Sequence, residues 1–153
     1  MGSSHHSSSG GTKSSQPPTA HEMLRRDVPI EKYERPLRSG LSPWQLKRVI
    51  EFVDSQLERP IRIADLAATI SVSESHFTRS FSISAGVTPY QFIMKARIER
   101  AQTLMRQSKA EMADIAIECG LSDQPHFNRL FRRFVGTTPL KWRTLNPFPE
   151  LHA

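Results

Sequence analysis

Two stretches of this chain say nearly the same thing: SVSESHFTRSFSISAGVTPYQF from Ser71 to Phe92, and GLSDQPHFNRLFRRFVGTTPLKW from Gly120 to Trp142. The likeness begins upstream, where Ala64-Asp65-Leu66-Ala67 lies over Ala113-Asp114-Ile115-Ala116 at an offset of 49. Ser73 lies over Ser122 at that offset. One residue is then inserted near Pro125. After it His76-Phe77, Arg79, Phe81, Gly86 and Thr88-Pro89 lie over His126-Phe127, Arg129, Phe131, Gly136 and Thr138-Pro139 at an offset of 50. Two copies are too few for a solenoid, which needs at least three repeats. The repeat therefore marks a duplicated supersecondary unit.

The periodicity inside and around each copy is helical. Ser42-Pro43 offers an N-cap followed by proline at the first helical position. Trp44, Leu46, Val49, Ile50, Phe52, Val53 and Leu57 then recur at helical spacing up to Pro60. A short alanine-rich helix follows over Ile63 to Ile70. Ser73 opens the next, with Phe77 and Phe81 on one face and Gly86 at its end. Thr88-Pro89 starts the longest helix, to about Gln107, with an apolar stripe of Phe92, Ile93, Ala96, Ala101, Leu104 and Met105. Met112 to Cys119 is a second short helix, broken by Gly120. Ser122 opens another that carries Phe127, Phe131 and Phe134 and ends at Gly136. Thr138-Pro139 starts the last. No segment alternates with a period of two, so no strand is expected and the fold class is all-α.

A short helix, a turn of three or four residues and a second helix is helix-turn-helix spacing. Small alanines in the first helix (Ala64, Ala67, Ala68; Ala113, Ala116) let the second cross closely. Gly120 supplies positive φ at the turn, where the first copy has Ser71. With the paired phenylalanines turned inward, the outward face holds Ser75, His76, Thr78, Arg79 and Ser82 in one copy. In the other it holds Gln124, Pro125, His126, Asn128, Arg129, Arg132 and Arg133. Arginine pairs bidentately with guanine, Asn and Gln with adenine, and Ser or Thr with either kind of edge; an α-helix fits the major groove. A solvated polar face is the bland reading of one such helix, and two matched copies on a basic chain favour DNA. Two reading helices on one body suit successive major grooves, with the long helix setting their separation.

Composition agrees. The chain of 153 residues carries a net charge of +6. Residues 42–145 hold 15 Lys/Arg against 10 Asp/Glu, so most of the excess sits in the expected fold. Residues 1–11, MGSSHHSSSGG, read as an expression leader. Residues 12–41, with four prolines, read as a linker or disordered arm, and residues 146–153 as a tail. The domain reading is a first helix-turn-helix subdomain over residues 42–87, a linker helix over 88–107 and a second subdomain over 108–145. No apolar run approaches the roughly 20 residues of a membrane span. Cys119 is the lone cysteine, which excludes a disulfide framework and suits a cytosolic setting. His76 and His126 lack ligand-spaced partners for a metal. No catalytic triad or phosphate-cradling glycine loop is present, so neither an enzyme nor a cofactor is expected. The rival class is a basic all-α module that binds an acidic protein partner.

The stretch IAIECGLSDQPHFNRLFRRFVGTTPLKWR, together with RIERAQTLM from Arg97 to Met105, resembles the AraC/XylS family of bacterial transcription regulators. The resemblance covers Ser42 to Arg143. It implies seven helices forming two homeodomain-like helix-turn-helix subdomains joined by a long linker helix. It also implies binding to double-stranded promoter DNA in the nucleoid, activation through contact with RNA polymerase, and an effector-binding or dimerisation domain outside this chain. By motif position Ser75, Thr78 and Arg79 fall at base-reading sites of the first recognition helix, and Gln124, Pro125, His126 and Arg129 at those of the second. His76 and Asn128 join the same outward faces. Expected phosphate contacts are Arg62, Arg132, Arg133, Thr138 and Lys141. Ser71 departs from the family's turn glycine, and Pro125 offers neither a backbone donor nor a polar side chain.

Overall fold

The computed structural model of the chain describes residues 40–149. The leader, residues 12–39 of the arm and residues 150–153 of the tail lie outside the described residues. Seven α-helices and no strands occur among the described residues: α1 Pro43–Ser55, α2 Ile63–Thr69, α3 Glu74–Ala85, α4 Pro89–Gln107, α5 Met112–Glu118, α6 Gln124–Val135 and α7 Pro139–Leu145. The expected all-α class and helix count both hold.

The starts follow from capping chemistry. The first turn of a helix leaves backbone N–H groups without internal partners, and a hydroxyl or carboxylate just ahead of it satisfies one of them. At α4 the cap is reciprocal. Thr88 Oγ1 accepts from Gln91 N at 3.2 Å, and Gln91 Oε1 accepts from Thr88 N at 3.1 Å. Thr138 Oγ1 accepts from Lys141 N at 3.2 Å at α7. Gln45 Oε1 returns to Ser42 N at 2.9 Å at α1.

Each repeat folds the same way. α2 packs on α3 as α5 packs on α6, and α1 lies on α2 as α4 lies on α5. The α4 start closes the first unit and α7 closes the second. The linker helix therefore belongs to both units. Of the alanines expected to allow the close crossing, only Ala67 and Ala116 are buried; Ala64, Ala68 and Ala113 face solvent. The repeat extends one aromatic further than the phenylalanine pairs. Phe77, Phe81 and Phe92 stack with centroids 5.5 and 5.4 Å apart. Phe127, Phe131 and Trp142 do the same at 5.6 and 5.9 Å. Each trio is the centre of its unit's core, and truncating one such ring to alanine costs about 3–5 kcal/mol.

The two turns share one hydrogen-bond pattern. Val72 N reaches Ala67 O at 3.1 Å and Leu121 N reaches Ala116 O at 2.9 Å, the six-to-one bond of a left-handed helix ending. Ser71 and Gly120 supply the positive φ, 57° and 73°.

Three further expectations need correcting. The cap of α6 is Asp123, whose Oδ1 accepts from His126 N at 2.6 Å, as Ser73 Oγ accepts from His76 N at 3.2 Å. Ser122 is therefore the extra residue, inserted between turn and cap; the longer loop does not reach Pro125. Trp44, on the α1 stripe, is 61% exposed, because it sits in the first turn beyond the edge of the core. Leu41, assigned to the arm, is buried, and its N–H donates to Ser84 Oγ at 2.7 Å.

Candidate nucleic-acid interface

Both candidate reading helices are amphipathic, with Phe77/Phe81 and Phe127/Phe131 sealed inside and Phe134 half-buried. On α3, Ser75, His76, Thr78 and Arg79 are exposed. Ser75, Thr78 and Arg79 line one shallow groove with Ile63 of α2, Glu74 and Ser82. His76 is not part of it: its Nε2 lies 3.4 Å from Ser80 Oγ, one turn along the same helix. Glu74 was not foreseen in this groove. The signal for it was helical spacing, since positions 74, 75, 78, 79 and 82 share one face.

On α6, Gln124, Pro125, Asn128 and Arg129 are exposed and His126 is half-buried. Proline at the second helical position costs no hydrogen bond there, because its missing N–H falls among the first-turn orphans. The last turn presents Arg132 and Arg133, both exposed. Arg133 lies over the Phe134 ring, 5.9 Å from its centroid.

The phosphate candidates fare unequally. Arg62 caps no helix group with its side chain; its Nε pairs with Asp65 Oδ2 at 3.3 Å. At 80% exposure that pair is screened and leaves the guanidinium available. Thr138 commits its hydroxyl to the α7 cap, while Lys141 is exposed. Arg106 stacks over Trp142 at 5.0 Å. Arg143 donates to Ala110 O at 2.8 Å and so fixes the loop ahead of α5.

Between the units lies a group that pattern reading passed over. Arg97, in mid-α4, is 7% exposed. Its Nη1 donates to Gly120 O and its Nη2 to Arg59 O, each at 2.9 Å. Burial pulls its guanidinium below the ordinary value, opposed by Cys119 and Tyr90. Next to it Cys119 is fully enclosed, and burial pushes its thiol up to about 12, with Arg100 opposing. Among the described residues no cluster of three or more His, Cys, Asp or Glu side chains is placed to hold a metal ion. No described helix is long and apolar enough to cross a membrane.

This arrangement coincides with known proteins. A family described as a helix-turn-helix domain matches residues 66–144. The transcriptional activator RhaR of Escherichia coli is 32% identical over 101 residues, covering 66% of this chain and 36% of the relative. A crystal structure of an AraC-type transcriptional regulator from Chromobacterium violaceum superposes with a TM-score of 0.66 at 27% identity, covering 71% of this chain and 96% of that one. The DNA-binding domain of the global transcriptional factor AdpA, solved in complex with a target DNA, superposes with a TM-score of 0.61 at 26% identity, covering 65% and 89%. The chain belongs to the AraC-type helix-turn-helix family, whose members are DNA-binding transcription regulators and not enzymes. It spans about a third of the length of the curated relatives it matches.

Proposed function

We propose that this chain is the DNA-reading part of a transcription regulator, with α3 and α6 entering two successive major grooves on one face of promoter DNA. The observation that carries the reading is the duplication itself. Two exposed polar helix faces are each aimed by the same left-handed turn and the same side-chain cap, at Ser71-Ser73 and Gly120-Asp123. Successive grooves lie about 34 Å apart. The 19 residues of α4 reach about 28 Å at 1.5 Å per residue, the right order for a spacer.

Ser75, Thr78 and Arg79 read the first groove; Gln124, His126, Asn128 and Arg129 read the second, with Pro125 giving apolar contact alone. His76 reaches a base only by leaving Ser80. Arg62, Arg132, Arg133 and Lys141 take phosphates and fix register without reading sequence. The Thr138 hydroxyl, committed to its cap, positions Lys141 and leaves the phosphate to it. Activation by contact with RNA polymerase is the proposed output, by analogy with RhaR, which is named an activator.

Selection of bound sites from random duplex DNA, followed by gel shifts, tests the proposal. The expected result is a two-part site bound about 10³-fold or more above random DNA. Uniform retention of all duplexes that vanishes at moderate salt would instead favour a basic module for acidic protein partners.

A further inference from the structure

We propose that Arg97 is a positioning residue whose buried guanidinium fixes the orientation of α6 relative to α3. Burying a cation is costly unless its donors are satisfied. The two carbonyls that accept from Arg97 Nη1 and Nη2 come from opposite units: Arg59 O from the chain just after α1, and Gly120 O from the turn that leads into α6, while its buried Nε has no hydrogen-bond partner. A planar fork can hold two acceptors at a fixed angle, which an ammonium cannot.

The neighbouring residues repeat this link. Leu57, Glu58 and Arg59 form one side of it. A Cβ on Gly120 would collide with the Leu57 carbonyl oxygen, so the second turn seats directly against the first unit. Glu58 pairs with Arg100, one turn along α4 from Arg97. Arg59 accepts from Arg97 itself. Each unit already owns an aromatic core, Phe77/Phe81/Phe92 and Phe127/Phe131/Trp142. Arg97 touches neither trio through its hydrogen bonds. What it adds is the relation between units, and it adds it at Gly120, three residues ahead of the α6 cap. Without such a link, motion between small packed units is the ordinary expectation.

Two measurements test this. Spin labels on Ala68→Cys in α2 and Thr144→Cys in α7, both exposed, report the distance between units; Cys119 is enclosed and stays unlabelled. The parent chain should give one narrow distance distribution, and Arg97→Met should widen it about twofold or more. Arg97→Lys, able to satisfy one carbonyl, should widen it less. An unchanged width in a folded Arg97→Met overturns the proposal. Unfolding of Arg97→Met with parental width in Arg97→Lys also overturns it, by assigning the residue to folding alone.

The second measurement rests on the two-groove reading. One base pair inserted between the halves of the selected site should weaken the parent about 10²-fold, and Arg97→Met by less than about tenfold. Equal penalties overturn the positioning role. Enrichment of no two-part site by the parent chain is a failure of the DNA reading, and the label distances then decide the positioning role alone.

Discussion

Ser71 and Gly120 hold the same left-handed backbone conformation at equivalent points of the two turns, yet they face different surroundings. Ser71 is exposed, whereas Gly120 abuts the Leu57 carbonyl and the Arg97 guanidinium. Both positions favour glycine by conformation, but only the second requires it by space. Gly120→Ala should therefore cost more than about 2 kcal/mol, since backbone strain and a collision with a carbonyl add. Ser71→Gly should fall between neutral and a gain of about 1 kcal/mol. Urea denaturation of both variants measures this. Equal and small effects would mean that the two turns are not differently seated.

The cap of α6 gives a second, local test. Asp123 holds the His126 N–H, while Ser122 lies one residue outside the helix start. Asp123→Ala should lower stability by about 1 kcal/mol, and up to about 2, while Ser122→Ala should leave it within about 0.5 kcal/mol. Thermal melts distinguish the two, and a larger loss at Ser122 would return the helix start to the serine.

These two cases show what the sequence could and could not reveal. Helix count, proline starts, glycine ends and the buried phenylalanine pairs are local or periodic signals, and all of them could be read directly. The α6 start could not, because Ser122 and Asp123 are both good caps; the His126 N–H donating to Asp123 Oδ1 and the six-to-one bond at Leu121 decide between them. For Arg97 the signal was partial: it lies four residues from both Ile93 and Ala101, on the apolar stripe of α4, but the two carbonyls that accept from it belong to segments 38 and 23 residues away, which periodicity does not show. On the candidate interface, spacing identified the polar faces, but it did not foresee Glu74 beside Arg79, nor the turning of His76 onto Ser80.

Cys119 connects the enclosed junction to pH. Its ordinary value is 9.0, and burial in the fold raises it to about 12. Below pH 9 both folded and unfolded chains hold the proton, so the thiol's contribution is intact. Above it the unfolded chain releases the proton and the folded chain keeps it, so stability falls as pH rises from 9 toward 12. The extra slope is at most about 1.4 kcal/mol per pH unit. Urea melts from pH 8 to 10.5 should show the parent losing stability faster than Cys119→Ala. Equal alkaline slopes would place the thiol in contact with water. The folded parent should also resist thiol reagents at neutral pH and react on unfolding.

The two helices proposed to read DNA differ in charge, and that difference predicts a division of labour. α3 carries Glu74 and Arg79 and is electrically neutral, whereas α6 carries Arg129, Arg132 and Arg133 with no acidic residue. Removing one phosphate-neutralising cation reduces the slope of log affinity against log salt by about 0.9. Replacing Arg132 and Arg133 together by alanine should therefore lower the slope by about 2 and weaken all duplexes alike. Arg79→Ala and Arg129→Ala should each relax preference at one base pair, at a cost of about 1–3 kcal/mol. Arg79→Ala carries a further signature. Glu74, left beside it in the groove, then faces the DNA without a compensating cation, so the double variant Glu74→Gln/Arg79→Ala should bind more tightly than Arg79→Ala alone. Gel shifts across a salt series with the selected site and single-base variants read out all of this. A uniform loss across sequences from Arg129→Ala would move that arginine from the bases to the backbone. Base specificity lost on removing Arg132 and Arg133 would reverse the assignment of the α6 end.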